Sequence, residues 1–239
     1  MDEKSIPRKG SKDMWNAFMA KGAKYSYNDI PLCPNTAGEI PESVITYSEA
    51  ISIYNREIRS KHSNFHDNSY VCFYEDDYKF DGRDGIWFNP RKAKRILDHF
   101  EGIIAPDFST CLDFPRPIRM WNYYRMNTFG YWYGVLCKKK VIPNVRWNEP
   151  SSFMFCFDGI RNDESMVAIG TVGSSLKYRS SHDNFSWGYE YLIDEKHPKA
   201  ILIYGGIPEK FREYAEKNSV KILRYPSKTE RHFRRAKNV

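Results

Sequence analysis

The strongest constraint in this chain is a set of short apolar runs without polar alternation, among them ILIY, MVAIG and FMFCF. A strand with one face in water alternates apolar and polar residues, whereas a strand apolar on both faces belongs to a parallel sheet covered by helices. Such runs predict strands at Tyr70–Tyr74, Gly102–Ala105, Val141–Val145, Phe153–Phe157, Met166–Gly170, Ala200–Tyr204 and Val220–Leu223. Helical patterns separate them at Pro90–His99, Pro117–Lys138, Asp183–Lys196 and Pro208–Asn218, and another precedes them at Ser43–Lys61. There Val44, Tyr47, Ala50, Ile51, Tyr54 and Ile58 fall near helical spacing, and Ser48 and Glu49 suit the first turn. Strands alternating with helices predict an α/β fold, a largely parallel sheet with helical crossovers. The sheet is either open or a complete or incomplete β/α barrel, and the number of βα steps leans toward the barrel.

Composition narrows the class. With 239 residues, 41% hydrophobic and 16% aromatic, the chain buries a substantial core, which excludes disordered, collagen-like and coiled-coil classes. No apolar stretch is long enough for a membrane span, and the aromatic run Phe129–Cys137 stops at Lys138, Lys139 and Lys140. The opening MDEKSIPRKG has no apolar segment, so a cytoplasmic location is expected. Cys33, Cys72, Cys111, Cys137 and Cys156 contain no C-x-x-C pair, which suggests buried thiols, not disulfides or a zinc ribbon.

The formal net charge of +7 lies at the ends: +3 over residues 1–24 and +6 over 221–239, against −2 for everything between. The expected organisation is a basic extension and loop (1–42) docking through Trp15, Phe18 and Met19, a single α/β domain (43–224), and a mobile basic tail (225–239). Arg224, Lys228, Arg231, Arg234, Arg235 and Lys237 surround Tyr225 and Phe233. Cations of this kind meet phosphates and rings stack on unpaired bases, so DNA or RNA is the expected partner. Neither end has the long apolar face that a membrane surface requires, and nothing in the sequence sets an oligomeric state.

In parallel sheets and barrels alike, ligands bind at the carboxyl ends of the strands, where the following loops converge. Those positions hold Asp76, Asp77, Asp107 and Asp158, with Arg146 among them. Converging carboxylates suit phosphodiester chemistry on Mg²⁺ or Mn²⁺. In that arrangement Asp107 and Asp158 hold the ion, Asp76 or Asp77 completes the site or activates water, and Arg146 steadies the phosphate. Ser109, Asn144, Trp147, Thr171, Gly173 and Tyr204 are the expected substrate contacts on the same rim. Two other readings stay open. The polar strand ends could shape a binding or regulatory surface without turnover, with each Asp capping a helix or turn. Alternatively the carboxylates could hydrolyse a sugar held on Trp147 and Tyr204. The segment Ile169–Ser175 (IGTVGSS) could cradle a phosphate or be a plain turn, and His62 and His66 could share a metal or sit in a loop. No G-x-S-x-G elbow and no Cys beside a His supports covalent catalysis.

The ordered series FYEDDYKFDG, IWFNP, GIIAPDFS, GYWYG, VIPNVRW, FMFCFDGI, VAIGTVG and ILIYGG resembles the domain-of-unknown-function family numbered 4417, found in bacteria, phages and other mobile elements. The resemblance runs from Val44 to Leu223. It implies a shared fold and no established activity. It matches Asp76, Asp77, Tyr78, Trp87, Pro90, Asp107, Ser109, Pro143, Trp147, Asp158, Gly159, Thr171, Gly173, Tyr204 and Gly205, and the basic ends lie outside it.

Overall fold

Thr46 ends one element and begins the next. Its hydroxyl accepts the Glu49 backbone N–H, while the Glu49 carboxylate accepts the Thr46 N–H at 2.8 Å, a reciprocal capping box. The structure, a computed structural model, describes residues 4, 6–173 and 179–237. Along it run β1 (Ser43–Thr46), α1 (Tyr47–Arg59), β2 (Asp67–Cys72), α2 (Pro90–Leu97), β3 (Phe100–Ile104), α3 (Arg116–Tyr131) and β4 (Val141–Ile142). Then follow α4 (Phe153–Cys156), β5 (Val167–Gly170), α5 (Arg179–Lys196), β6 (Ala200–Tyr204), α6 (Glu209–Lys217), β7 (Lys221–Tyr225) and α7 (Lys228–Lys237). The fold is α/β with helical crossovers between parallel strands, as the both-face apolar runs predict.

The strands form two sheets in sequential order, β1-β2-β3-β4 and β5-β6-β7, every pair parallel. One isolated bridge, Asn144 to Ala168, joins them just beyond β4. Near the other end of these strands the Cys33–Ala37 segment spans the same seam. Thr36 N–H donates to Val141 O at 2.9 Å, and the Asn35 amide donates to Ser165 and Met166. Among the described residues no ladder pairs β7 with β1, although the Tyr225 hydroxyl donates to Pro41 O. Alternate side chains of all seven strands gather in one cluster: Val44, Tyr70, Cys72, Ile104, Ile142, Ala168, Leu202 and Tyr204, flanked by Leu223 and Tyr225. The opposite faces, with Val71, Ile103, Val141, Val167, Ile169, Ile201 and Ile203, pack into the cluster that contains the helices.

Three expectations change. Phe153–Phe157 is a helical turn, not a strand, because Phe153 and Phe157 lie on one side to meet Tyr191, with ring centroids 5.2 and 4.7 Å away. A five-residue apolar run fits either element, and packing decides between them. The helix expected from Ser43 begins at Tyr47, since Ser43–Thr46 pairs with β2. The tail expected to be mobile extends β7 to Tyr225 and then forms α7, whose first turn is closed by Ser227 and Glu230: Ser227 N–H donates to the Glu230 carboxylate and Glu230 N–H to Ser227 Oγ. In the N-terminal segment Met19 is buried, Phe18 meets Trp132 edge-on, and the Trp15 indole donates to Lys4 O.

Candidate functional site

The carboxyl ends of β2, β3 and β4 meet in one polar network beside the seam between the sheets. Asn144 lies just past β4 and reaches the residues that follow β2 and β3. Its carbonyl accepts the Tyr74 hydroxyl at 2.9 Å, and its amide donates to Asp107 Oδ1 at 2.9 Å and Pro106 O at 3.1 Å. Asp107 Oδ2 accepts from Arg146 Nη1 at 3.0 Å, so both carboxylate oxygens are engaged. Burial, reinforced by the Asp107 charge, holds the Tyr74 phenol well above its ordinary range and keeps it a donor. The same carboxylate raises the pKa of Arg146.

Asp77 is the electrostatic neighbour of this pair. Burial raises its pKa despite hydrogen bonds from Ser109, Oγ at 2.9 Å and N–H at 3.1 Å, and the Asp107 charge adds to the rise. Ser109 is in turn held by the Asn122 amide on its carbonyl oxygen. Asn122 takes Arg125 Nη2 at 2.6 Å, and Arg125 pairs with Asp81 at 2.8 Å over the face of Phe108. This second network fixes the loop after β3 and orients Ser109 toward Asp77.

The expected carboxylate cluster is therefore divided. Asp77 and Asp107 are neighbours, but Asp76 is largely exposed and pairs with Lys79 at 3.2 Å. Asp158 follows the turn of α4, not a strand, and its Oδ2 accepts from Asn28 Nδ2 at 2.5 Å. Among the described residues no three His, Cys, Asp or Glu side chains are gathered as a metal site. His62 pairs with Glu57 and His66 with Glu101, so the two imidazoles do not share a partner.

Arg146 also lines a crevice of about 210 Å³ that runs from the end of β4 past the end of β5 to the first turns of α5. Trp147 and Phe185 give it an aromatic wall, Asn148, Ser181 and Asn184 give it polar groups, and Gly173 sits at its rim. Trp147 is fixed in place: its indole N–H donates to Asn184 O at 3.2 Å, and its ring lies against Phe157 and Phe185. Gly170 leaves space for Tyr74, whose ring carbon would lie 2.3 Å from any Cβ there. Thr171 N–H donates to Tyr204 O at 3.1 Å, joining the ends of β5 and β6. Ser174 and Ser175 of the IGTVGSS segment lie outside the described residues.

Tyr204 is not an open platform. It is 1% exposed, stacks on Tyr74 and accepts the Lys228 N–H at 2.9 Å. The basic tail is partly neutralised as well. Arg224 pairs with Glu230 and Arg231 with Glu49, both at 2.6 Å. Lys228 and Arg234 are exposed and form no ion pair among the described residues, while the side chains of Arg235 and Lys237 lie outside them. Sequence reasoning missed Cys111, Asn148, Ser181, Asn184 and Phe185 as crevice residues. The available signal was Ser181, Asn184 and Phe185 at i, i+3 and i+4, one side of a helix.

Residues 26–226 match the family model described as a domain of unknown function, DUF4417. The chain belongs to this family. The family resemblance read from the ordered strand-end motifs is thereby borne out, and the relatives of this DUF4417 chain include phage proteins. It is 33% identical over 161 residues to the Gene 1 protein of Mycobacterium phage D29, covering 65% of this chain and 54% of that one. It is 35% identical over 139 residues to the Gene 1 protein of Mycobacterium phage L5, covering 56% of each. The DUF4417 chain thus spans about half the length of the curated relatives it matches. No solved structure matches it. No helix among its described residues is long and apolar enough to cross a membrane.

Proposed function

We propose that this protein binds nucleic acid and that the strand-end crevice takes a phosphate group on Arg146. The observation that carries this reading is the division of the guanidinium. Nη1 is held by Asp107, while no described residue takes its other N–H groups where it borders the crevice. A guanidinium oriented by one carboxylate is prepared to give a second, charge-assisted pair of hydrogen bonds to a phosphate. Trp147 and Phe185 supply an apolar wall for a sugar or base, and the Ser181 and Asn184 side chains, with no hydrogen-bond partner among the described residues, supply polar contacts.

Binding without turnover is favoured over Mg²⁺- or Mn²⁺-assisted cleavage. The ligand pair expected for the ion, Asp107 and Asp158, is divided between separate partners, and each Asp107 oxygen already accepts a hydrogen bond, from Asn144 and from Arg146. The sugar-hydrolase reading loses Tyr204 from its platform to burial and keeps Trp147 alone.

The test is anisotropy of labelled single- and double-stranded DNA and RNA with the wild-type chain and Arg146→Gln, with and without Mg²⁺ or Mn²⁺, followed by product analysis. The expected result is binding without cleavage, weakened at least about tenfold by loss of a charged hydrogen-bond partner. Metal-dependent cleavage that disappears in Asp107→Asn would replace this reading with the catalytic one.

A further inference from the structure

A local concentration of positive charge also lies away from the chain ends. Helix α2 has the sequence PRKAKRIL, with four cations and no acid in eight residues. Lys94 is neutralised by Asp98, but Arg91, Lys92 and Arg95 are exposed and form no ion pair among the described residues. The opposite face of the helix, with Ala93, Ile96 and Leu97, is buried, which fixes the cationic face outward.

This face borders a groove of about 500 Å³ between α1 and α2, lined by Tyr54, Asn55, Lys79, Asn89, Lys92 and Arg95. Asp84 is the acid in its lining, and Lys79 is shared with Asp76 and Glu75. Two large aromatics stand in water next in sequence to groove residues: Tyr78, 79% exposed, before Lys79, and Phe88, 61% exposed, before Asn89. Among the described residues neither packs on another ring, while the Lys79 ammonium lies 5.7 Å from the Tyr78 ring centroid.

We infer that this groove binds single-stranded nucleic acid, its phosphates on Lys92 and Arg95 and its unpaired bases on Tyr78 and Phe88. The inference rests on the nucleic-acid reading above and adds to the Arg146 crevice a polymer contact on α2, in place of the one expected on the C-terminal tail. Free cations interleaved with exposed rings are the arrangement by which proteins hold a strand without reading its sequence. In a duplex the base faces are already stacked, so the two rings favour single strands. A lipid surface would be met by a continuous apolar helix face, and the exposed face of α2 carries Arg91, Lys92 and Arg95 instead.

The experiment is anisotropy of the full chain with labelled oligothymidylate and with a duplex of the same length, across a salt series. Lys92→Ser/Arg95→Ser should reduce the slope of log affinity against log salt by about 1.4, the share of two phosphate contacts on a single strand. Tyr78→Ala/Phe88→Ala should weaken oligothymidylate about tenfold or more, and duplex much less. All four positions are exposed, and circular dichroism verifies folding. Wild-type affinity and slope in both variants, alongside loss of binding in Arg146→Gln or Lys228→Ser/Arg234→Ser, would overturn the groove and leave the nucleic-acid reading standing. No binding by the wild-type chain would overturn both, as would binding to phosphatidylserine vesicles through these residues without any oligonucleotide binding.

Discussion

Arg146 Nη1 lies 3.0 Å from Asp107 Oδ2, and the pair is held from the other side by Asn144 on Asp107 Oδ1. Asp107 is nearly buried while Arg146 keeps an edge toward the crevice. The carboxylate therefore orients the cation, and the cation compensates the desolvation of the carboxylate. Removing Asp107 leaves a charge with no counterion and an amide with one partner fewer. Asp107→Ala should lose about 2–4 kcal/mol of stability, the lower part of the range reflecting the exposed edge of Arg146. Urea denaturation of Asp107→Ala, Arg146→Gln and the double variant measures the coupling. Additive single effects would show that the two side chains are independent.

The attachment of α7 should be sensitive to acid. Burial of Glu49 favours its neutral form, but the Thr46 N–H and the Arg231 guanidinium outweigh burial and hold its pKa below the ordinary range. A carboxyl lowered in the folded state contributes stability that is complete above its unfolded pKa, about 4.3, and is lost as pH falls through the folded value. Acidification below about 4.3 should thus loosen Arg231 from α1 and reduce protection of α7 amides in hydrogen exchange. Glu49→Gln should produce the same loss at neutral pH. Full α7 protection in that variant would remove the ion pair as the tether.

Gly188 is a packing requirement of the crevice wall. A Cβ there would lie 2.1 Å from Trp147 Cδ1. Gly188→Ala should displace the indole, cost about 1–3 kcal/mol and lower the melting temperature. Altered tryptophan emission accompanying the change would locate the strain at the crevice.

The thiols should separate by access. Burial raises the pKa of Cys33, Cys72 and Cys156, whereas Cys111 is exposed and lines the crevice. In the native protein a disulfide-exchange reagent should modify Cys111 first and half-buried Cys137 more slowly, leaving the other three until denaturation. Mass spectrometry of digested samples identifies the modified sites. An oligonucleotide whose phosphate occupies the crevice should slow Cys111 alone, and equal rates with and without it would place the ligand elsewhere.

The runs ILIY and VAIG reveal their strands because burial on both faces of a parallel sheet is written locally, in consecutive residues. FMFCF carries the same apolar signal and becomes a helical turn because Tyr191, far along the chain, receives Phe153 and Phe157 from one side. The strand Ser43–Thr46 escapes notice because its four residues lead straight into the helical spacing of α1. At the site, Asp77, Asp107, Asn144, Arg146 and Trp147 were legible as strand-end residues, and the structure brings them to adjacent strand ends. The α5 side of the crevice was not legible, because Ser181 and Asn184 differ from ordinary surface residues only in what they face.

The sequence by itself determined the parallel α/β class, the family, and the strand ends as the place where polar residues collect. Each of these depends on residues close together in the chain or on motifs in order. The tertiary structure decided which charges meet: Asp107 with Arg146 but not with Asp158, Arg231 with Glu49, and, of the α2 cations, Lys94 with Asp98 but Arg91, Lys92 and Arg95 with no acid among the described residues. Coulomb and hydrogen-bond energies depend on separations of a few ångströms between residues distant in sequence, and strand order, register and helix packing set those separations.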